Sequence, residues 1–260
     1  MWGVVNEKEL INSVDRALDI LLLLQDKGKE MGITEISNAL GVYKSTIYRT
    51  LVTLENKGFV QQNSENGKYW LGLRLYSLGM LIKDKLTIKN LVYPYAKALA
   101  EKFKEVVHIS ILDQNAQDYP KHIIIEKCES QQVLSLTPPI GSSACCHTSA
   151  VGKALLAYSK RGYLDKYIGN ELPKFTEKTI TSWEKLLEEL QKIRQEGYAV
   201  DDEELELGLT CVAAPILGKD GEAIAALSIS GPTARVKSEK FLEIVQAIRD
   251  ITIQISNIID

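Results

Sequence analysis

Between Ile33 and Gly72 the chain reads ITEISNALGVYKSTIYRTLVTLENKGFVQQNSENGKYWLG, two short helical patterns split by a glycine and followed by a hairpin signal. None of these elements is long enough to persist alone in water, so the segment is constrained to fold as one packed unit. Thr34 is a favourable N-cap for a helix through Ile36, Ala39 and Leu40, and Gly41 ends it, leaving Gly41-Val42 as a tight turn. A further helix, about Lys44 to Lys57, places Ile47, Leu51 and Leu54 on one face. Ser45, Arg49, Val52 and Asn56 fall on the opposite face. After Gly58, Asn66-Gly67 is the dipeptide favoured in a type I′ turn between two short strands. Upstream, Val14, Ala17, Leu18, Leu21 and Leu22 recur at helical spacing from Ser13 to Gln25 and predict a core helix.

A helix with a buried face and a polar outer face, held after a tight turn, suits the major groove of DNA, whose bases are read near the helix N-terminus. Lys44, Ser45, Thr46, Tyr48 and Arg49 occupy that position and are the candidate base-reading residues. The hairpin reads as a wing, with Lys68 near its tip as a candidate phosphate contact. Three short helices and a hairpin also occur as plain packing modules; the order helix, short helix, turn, polar-faced helix, Asn-Gly hairpin is what points to DNA. A net charge of −3 confines any nucleic-acid contact to a local surface, because phosphate binding needs a local excess of Lys and Arg.

The rest of the chain changes character. Leu73 to about Lys85 reads as a helix after the wing, and Leu91, Tyr95, Ala98, Leu99 and Phe103 mark another after Thr87; both join the two parts of the chain. VVHISIL and HIIIEKC are β-branched runs that predict neighbouring antiparallel strands, with more strands at VLSLT, CVAAPIL and AIAALSIS. Gly218 to Gly221 turns the last two into a hairpin. A helix begins near Ala150, and another opens with a capping box from Thr181 to Glu184 and carries Trp183, Leu186, Leu187, Leu190 and Ile193. A last helix runs from about Ser238. The expectation is an α+β protein: a winged helix-turn-helix at residues 8–72, a linker helix at 73–86, and a sensor domain at 87–260 with a mixed or antiparallel central sheet.

Three stretches in the first part, SVDRALDILLLL, ITEISNALGVYKSTIYRTLVTLENKGFVQ and YWLGLRLYSLG, resemble the IclR (isocitrate lyase regulator) family of bacterial transcription factors in order and spacing. GSSACCHTSAVGKALLA, IRQEGYAVDDEELELGLTCVAAPIL and AIAALSISGPTAR extend the resemblance over almost the whole chain. The resemblance implies a C-terminal domain similar to GAF and PAS sensor folds that binds a small, often carboxylate-bearing metabolite and controls operator binding. It places effector contacts at Ala150, Val151, Asp201, Leu209, Cys211, Ser228 and Ser230. The residues support such a site on their own chemistry. A helix start after Thr148 and Ser149 offers unpaired N–H groups to an anion. Ser228 and Ser230 share one face of a strand, and Asp201 can accept a hydrogen bond from a ligand hydroxyl. The same residues also read as ordinary strand serines and a loop cap, and Lys153 as a solvated helix lysine.

Where the family usually has Pro, an apolar residue and His, this chain has Cys145, Cys146 and His147. With Cys128, Cys211, His108 or His122 these soft ligands could hold Zn²⁺, but adjacent strand residues point to opposite faces and no C-x₂-C pair exists, so buried free thiols are the preferred reading. A cysteine hydrolase would need a thiolate beside a histidine, a geometry that sequence neighbours such as Cys146 and His147 rarely provide. The expectation is therefore a regulator and not an enzyme, with no cofactor and no metal. It acts in the cytoplasm without a membrane span or signal peptide, as a homodimer or homotetramer on a double-stranded operator.

Overall fold

The computed structural model describes residues 10–129 and 138–259. The strand expected at residues 133–137 lies outside them, as do the first two residues of the 8–72 domain. Two compact units meet between Leu86 and Thr87.

The first unit contains α1 (Asn12–Lys27), α2 (Ile33–Leu40), α3 (Lys44–Asn56), β1 (Val60–Gln62), β2 (Tyr69–Leu71) and α4 (Leu73–Lys85). Its core joins Ile20 and Leu24 of α1, Ile36 of α2, and Ile47, Leu51 and Leu54 of α3 to Met31, Val60 and Tyr69. The α3 stripe is buried as expected. In α1 the expected stripe holds in part: Ala17 and Leu21 pack against the core, but Val14, Leu18 and Leu22 are all more than half exposed, while Ile20 and Leu24, outside the expected stripe, are fully enclosed. The helix carries two apolar stripes, and the one ending at Leu24 wins the core. Thr34 does not cap α2 either. Gly32 takes the cap position, and its N–H donates to the Glu35 carboxylate at 2.7 Å.

The wing departs from the expected two-residue turn. The strands pair from Val60 with Leu71 to Gln62 with Tyr69, and six residues connect them. A type I′ turn needs positive φ at both central residues, but only Gly67, at +69°, is left-handed here. The side chain of Asn66 instead accepts from the Lys68 N–H and donates to the Glu30 carboxylate.

The second unit is an antiparallel six-stranded sheet in the order β5-β4-β3-β8-β7-β6, from β3 (Val106–Asp113), β4 (Lys121–Cys128), β5 (Ser143–Cys145), β6 (Ala199–Asp202), β7 (Leu209–Leu217) and β8 (Ala223–Pro232). It alternates with α5 (Thr87–Phe103), α6 (Ala150–Ala157), α7 (Trp183–Glu196), the single turn α8 (Thr233–Val236) and α9 (Phe241–Ile259). β8 is buried at every residue from Ala225 to Gly231, so both sheet faces are covered. The hydrophobic cluster around α6 and α7 takes Ala213 and Ala226 from one face. α5 and α9 pack on each other and on β3 and β7. The fold is α+β, with a purely antiparallel sheet.

A bulge at Ile125 decides which β4 side chains meet which layer. Ile109 pairs with Glu126 while Ser110 pairs with Ile124, so one extra β4 residue is inserted. His122 and Ile124 line the α6 side. Glu126, which would have followed them, instead meets Lys89 of α5 at 2.6 Å. Two helix starts also shift from expectation. Ser182, not Thr181, caps α7, which leaves Lys185 at the position where a capping box needs Glu. α9 begins at Phe241 because Ser238 to Lys240 form a turn, closed by the Phe241 N–H donating to the Ser238 carbonyl at 3.0 Å.

Candidate functional site

In the first unit, α3 presents Lys44, Ser45, Tyr48 and Arg49 exposed on its outer surface, with Thr46 half-buried. Tyr43, directly before the helix, is 86% exposed and was not among the residues singled out from the sequence. Such a large exposed aromatic at a helix start offers an apolar and hydrogen-bonding tip to a groove. Lys68 is not a free wing-tip cation: its ammonium lies 3.3 Å from the Glu35 carboxylate. Glu30 accepts from the side-chain amides of Asn63 and Asn66, which holds its carboxyl below the usual range. The wing is thus tied back to its own domain through two carboxylates.

In the second unit, one cavity is lined by all seven positions that the family resemblance points to: Ala150, Val151, Asp201, Leu209, Cys211, Ser228 and Ser230. They come from four elements. Ala150 and Val151 open α6, whose N-cap Ser149 accepts from the Gly152 N–H at 3.1 Å. Gly152 is required there, since a Cβ would stand 2.3 Å from Cys146 Cα. Asp201 of β6 pairs with Cys211 of β7, and Cys211 with Ser230 of β8, so three strands deliver one row of side chains to the same face.

Asp201 is 1% exposed, and its carboxylate accepts from the Glu204 N–H at 2.8 Å. It therefore lines the cavity and caps a turn at once. Burial pushes its pKa up to about 7, against the pull of the Glu204 N–H, so it is not permanently charged near neutral pH. Behind it stands an ion pair that sequence reading missed. Lys153, read as a solvated lysine, is 1% exposed and lies 2.5 Å from the Glu204 carboxylate. Burial raises the Glu204 pKa although Lys153 opposes it.

The cavity also contains His108, Ser110 and His122, which the sequence reading had named only as conceivable metal ligands or not at all. The available signal was His108 and Ser110 two residues apart in an otherwise apolar strand, facing one side. His122 Nε2 lies 2.9 Å from Ser149 Oγ, and His108 Nδ1 3.4 Å from Ser230 Oγ. Burial lowers the His108 pKa to about 4 and the His122 pKa to about 3, so both rings are neutral near pH 7.

Cys145, Cys146 and His147 do not gather around a point. Cys145 ends β5, Cys146 and His147 enter a 3-10 turn, and the His147 ring lies 2.9 Å from the Pro173 carbonyl. Among the described residues no three His, Cys, Asp or Glu side chains converge in a way that could hold a metal ion. Burial raises the Cys146 pKa well above the thiol range, which leaves no thiolate for nucleophilic attack. No helix among the described residues is long and apolar enough to cross a membrane.

Two family models match successive parts of the chain. Residues 13–64 match the IclR helix-turn-helix domain, and residues 80–257 match the bacterial transcriptional regulator IclR C-terminal domain. The chain is 36% identical over 228 residues to the HTH-type transcriptional regulator XynR of Escherichia coli, covering 87% of this chain and 88% of that protein. It is 36% identical over 248 residues to the HTH-type transcriptional regulator KdgR of Escherichia coli, covering 94% and 92%. The crystal structure of Thermotoga maritima IclR superposes with a TM-score of 0.70 at 29% identity, covering 96% of this chain and 99% of that one. A helix-turn-helix with an exposed polar helix, a second unit built on an antiparallel sheet and these matches along nearly the full chain place the protein in the IclR family of bacterial DNA-binding transcriptional regulators.

Proposed function

We propose that the second unit binds a small organic acid without converting it, and that the bound acid sets the affinity of the first unit for a DNA operator in the cytoplasm. One observation carries this reading: the seven residues that the family resemblance names converge on one cavity at the N-terminus of α6. The first amides of a helix carry partial positive charge, and Ala150 and Val151 are small enough for a carboxylate to approach them. The cavity volume is about 50 Å³, room for a few water molecules, so an acid must widen it as it binds.

Base contacts are assigned to Lys44, Ser45, Thr46, Tyr48 and Arg49, and a weaker backbone contact to Lys68. Every residue of α4 is at least partly exposed, and Leu73, Tyr76, Leu81 and Ile82 are each more than 60% exposed. An apolar helix so uncovered supports pairing with a second copy. A single winged helix covers little DNA, so at least a dimer on a near-palindromic operator is expected, with half-sites roughly 34 Å apart or a multiple of that.

The test is calorimetry on the full chain with small hydroxy, keto and simple carboxylic acids, followed by a mobility shift with a bound acid present. An acid that binds wild type but not Asp201→Ala or Ser230→Ala, and that changes operator affinity, is the expected result. Acids that bind both variants as well as wild type would put the effector elsewhere.

A further inference from the structure

Three polar atoms on the cavity wall have no hydrogen-bond partner among the described residues: His108 Nε2, Ser110 Oγ and His122 Nδ1. Their side chains are 5%, 0% and 2% exposed. None belongs to the seven positions named by the family resemblance. A buried polar atom left unpaired is costly, and three of them on residues that line one cavity call for a partner that the cavity would hold.

The arrangement orients them. Ser110 and His108 share one face of β3, opposite Ala226 and Ser228 of β8. His122 reaches the same cavity from β4 because the bulge at Ile125 lies beyond it. Each ring has one nitrogen near a serine, Ser230 for His108 and Ser149 for His122, and its other nitrogen has no hydrogen-bond partner among the described residues. Burial keeps both imidazoles neutral, so neither supplies a cation for a carboxylate. A neutral imidazole offers a lone pair or an N–H according to its tautomer, and the serine hydroxyl offers both. A ligand hydroxyl, which donates and accepts at once, satisfies every one of these atoms. The carboxylate end of the ligand belongs to the α6 amides.

We infer that His108, Ser110 and His122 form a hydroxyl-reading wall of the effector cavity, so that the molecule bound is a compact hydroxy acid and its hydroxyl groups decide selectivity. This rests on the organic-acid reading of the cavity given above.

Four probes separate the two readings on the full-length chain. Glycerate, lactate and propionate share a three-carbon carboxylate skeleton with successively fewer hydroxyls, and glycerol has hydroxyls without the carboxylate. Calorimetry should rank glycerate above lactate above propionate, with glycerate at least about tenfold tighter than propionate. Nitrogen-15 imidazole spectra provide a second readout, because the chain has three histidines and His147 is held at Pro173 outside the cavity. Glycerate should shift two imidazole signals and leave the third in place. Ser110→Ala removes a hydroxyl that no described residue bonds, so it should melt no lower than wild type while the glycerate-to-propionate ratio falls. Propionate binding as tightly as glycerate would overturn the hydroxyl wall and leave the acid site standing. So would glycerate binding with all three imidazole signals unmoved, or a ratio unchanged by Ser110→Ala. Glycerol binding as tightly as glycerate would overturn the acid site instead, and failure of all four probes to bind would overturn both.

Discussion

Replacing Gly152 with alanine tests whether the start of α6 is held where the cavity needs it. The added Cβ would lie 2.3 Å from Cys146 Cα, 2.4 Å from Cys146 O and 2.6 Å from Ser149 Oγ. Carbon atoms rest at about 3.5–4.0 Å, so a shift of over an ångström is required. The Cys146 backbone cannot yield freely, since its N–H donates to the Pro120 carbonyl at 2.9 Å. The helix start must therefore move and loosen the Ser149 cap. Overpacking costs about 1–3 kcal/mol and a lost cap about 1 kcal/mol more, for a total of about 2–4 kcal/mol. For a domain of this size that lowers Tm by roughly 5–15 °C. Gly79→Ala is the control. Gly79 sits inside α4 with open space where its Cβ would go, so alanine there should be neutral or stabilising by up to about 1 kcal/mol. Scanning calorimetry of the full chain measures both variants, and acid binding reports the cavity. A Gly152→Ala protein that melts within about 2 °C of wild type and binds acids unchanged would refute the reasoning.

Asp201 should make stability fall with rising pH. Its folded pKa is raised from 3.8 to about 7, so between those values the folded chain keeps a proton that the unfolded chain has released. Asp201→Asn escapes this loss, and its Tm relative to wild type should climb from pH 5 to pH 8 in the presence of the same neighbours, Glu204 and Lys153; a pH-independent difference would contradict the burial argument. Lys153→Met strands the Glu204 carboxylate in the core and should cost about 3–5 kcal/mol in urea unfolding, with Lys153→Met/Glu204→Leu recovering most of it. On DNA, Arg49→Ala should weaken operator binding by about 1–3 kcal/mol and relax sequence preference, if the guanidinium makes a bidentate base contact. Lys68→Ala should act alike on all sequences and more weakly than a free wing lysine would, because Glu35 already occupies its ammonium; a mobility-shift series over salt separates the two, and equal loss of specificity in both variants would remove the α3 assignment.

What could be read in advance was whatever local spacing decides. α3 has one apolar stripe and one polar face, so its burial followed from period alone. β7 and β8 paired as expected because Gly218 to Gly221 leave them no other partner so close. In α1 only Ala17 and Leu21 of the expected stripe reach the core, because the helix has two apolar stripes and the choice between them belongs to α2 and α3, not to α1. The Asn66-Gly67 turn was misjudged for a similar reason: Glu30, more than thirty residues upstream, draws the Asn66 amide toward itself.

The candidate site divides along the same line. The resemblance names Ser228, Ser230, Ala150 and Val151, and strand alternation and a helix start, both local, account for how these four come to the cavity. Lys153 does not, since all eight residues of α6 are buried and nothing in AVGKALLA marks the lysine as different from a surface one. Its partner Glu204 lies 51 residues away, in an acidic run that reads as solvated. His122 is harder still, because its facing depends on a bulge that inserts one residue into β4. His108 and Ser110 are the instructive pair. Both faces of β3 are covered, so alternation of burial cannot single them out, yet two hydrogen-bonding side chains at i and i+2 in a β-branched strand are a conflict between composition and position. A buried strand tolerates that conflict only where something satisfies it, and here neither β8 nor α6 fully does. That mismatch is the sequence signal behind the proposed hydroxyl-reading wall, and it stands in VVHISIL itself.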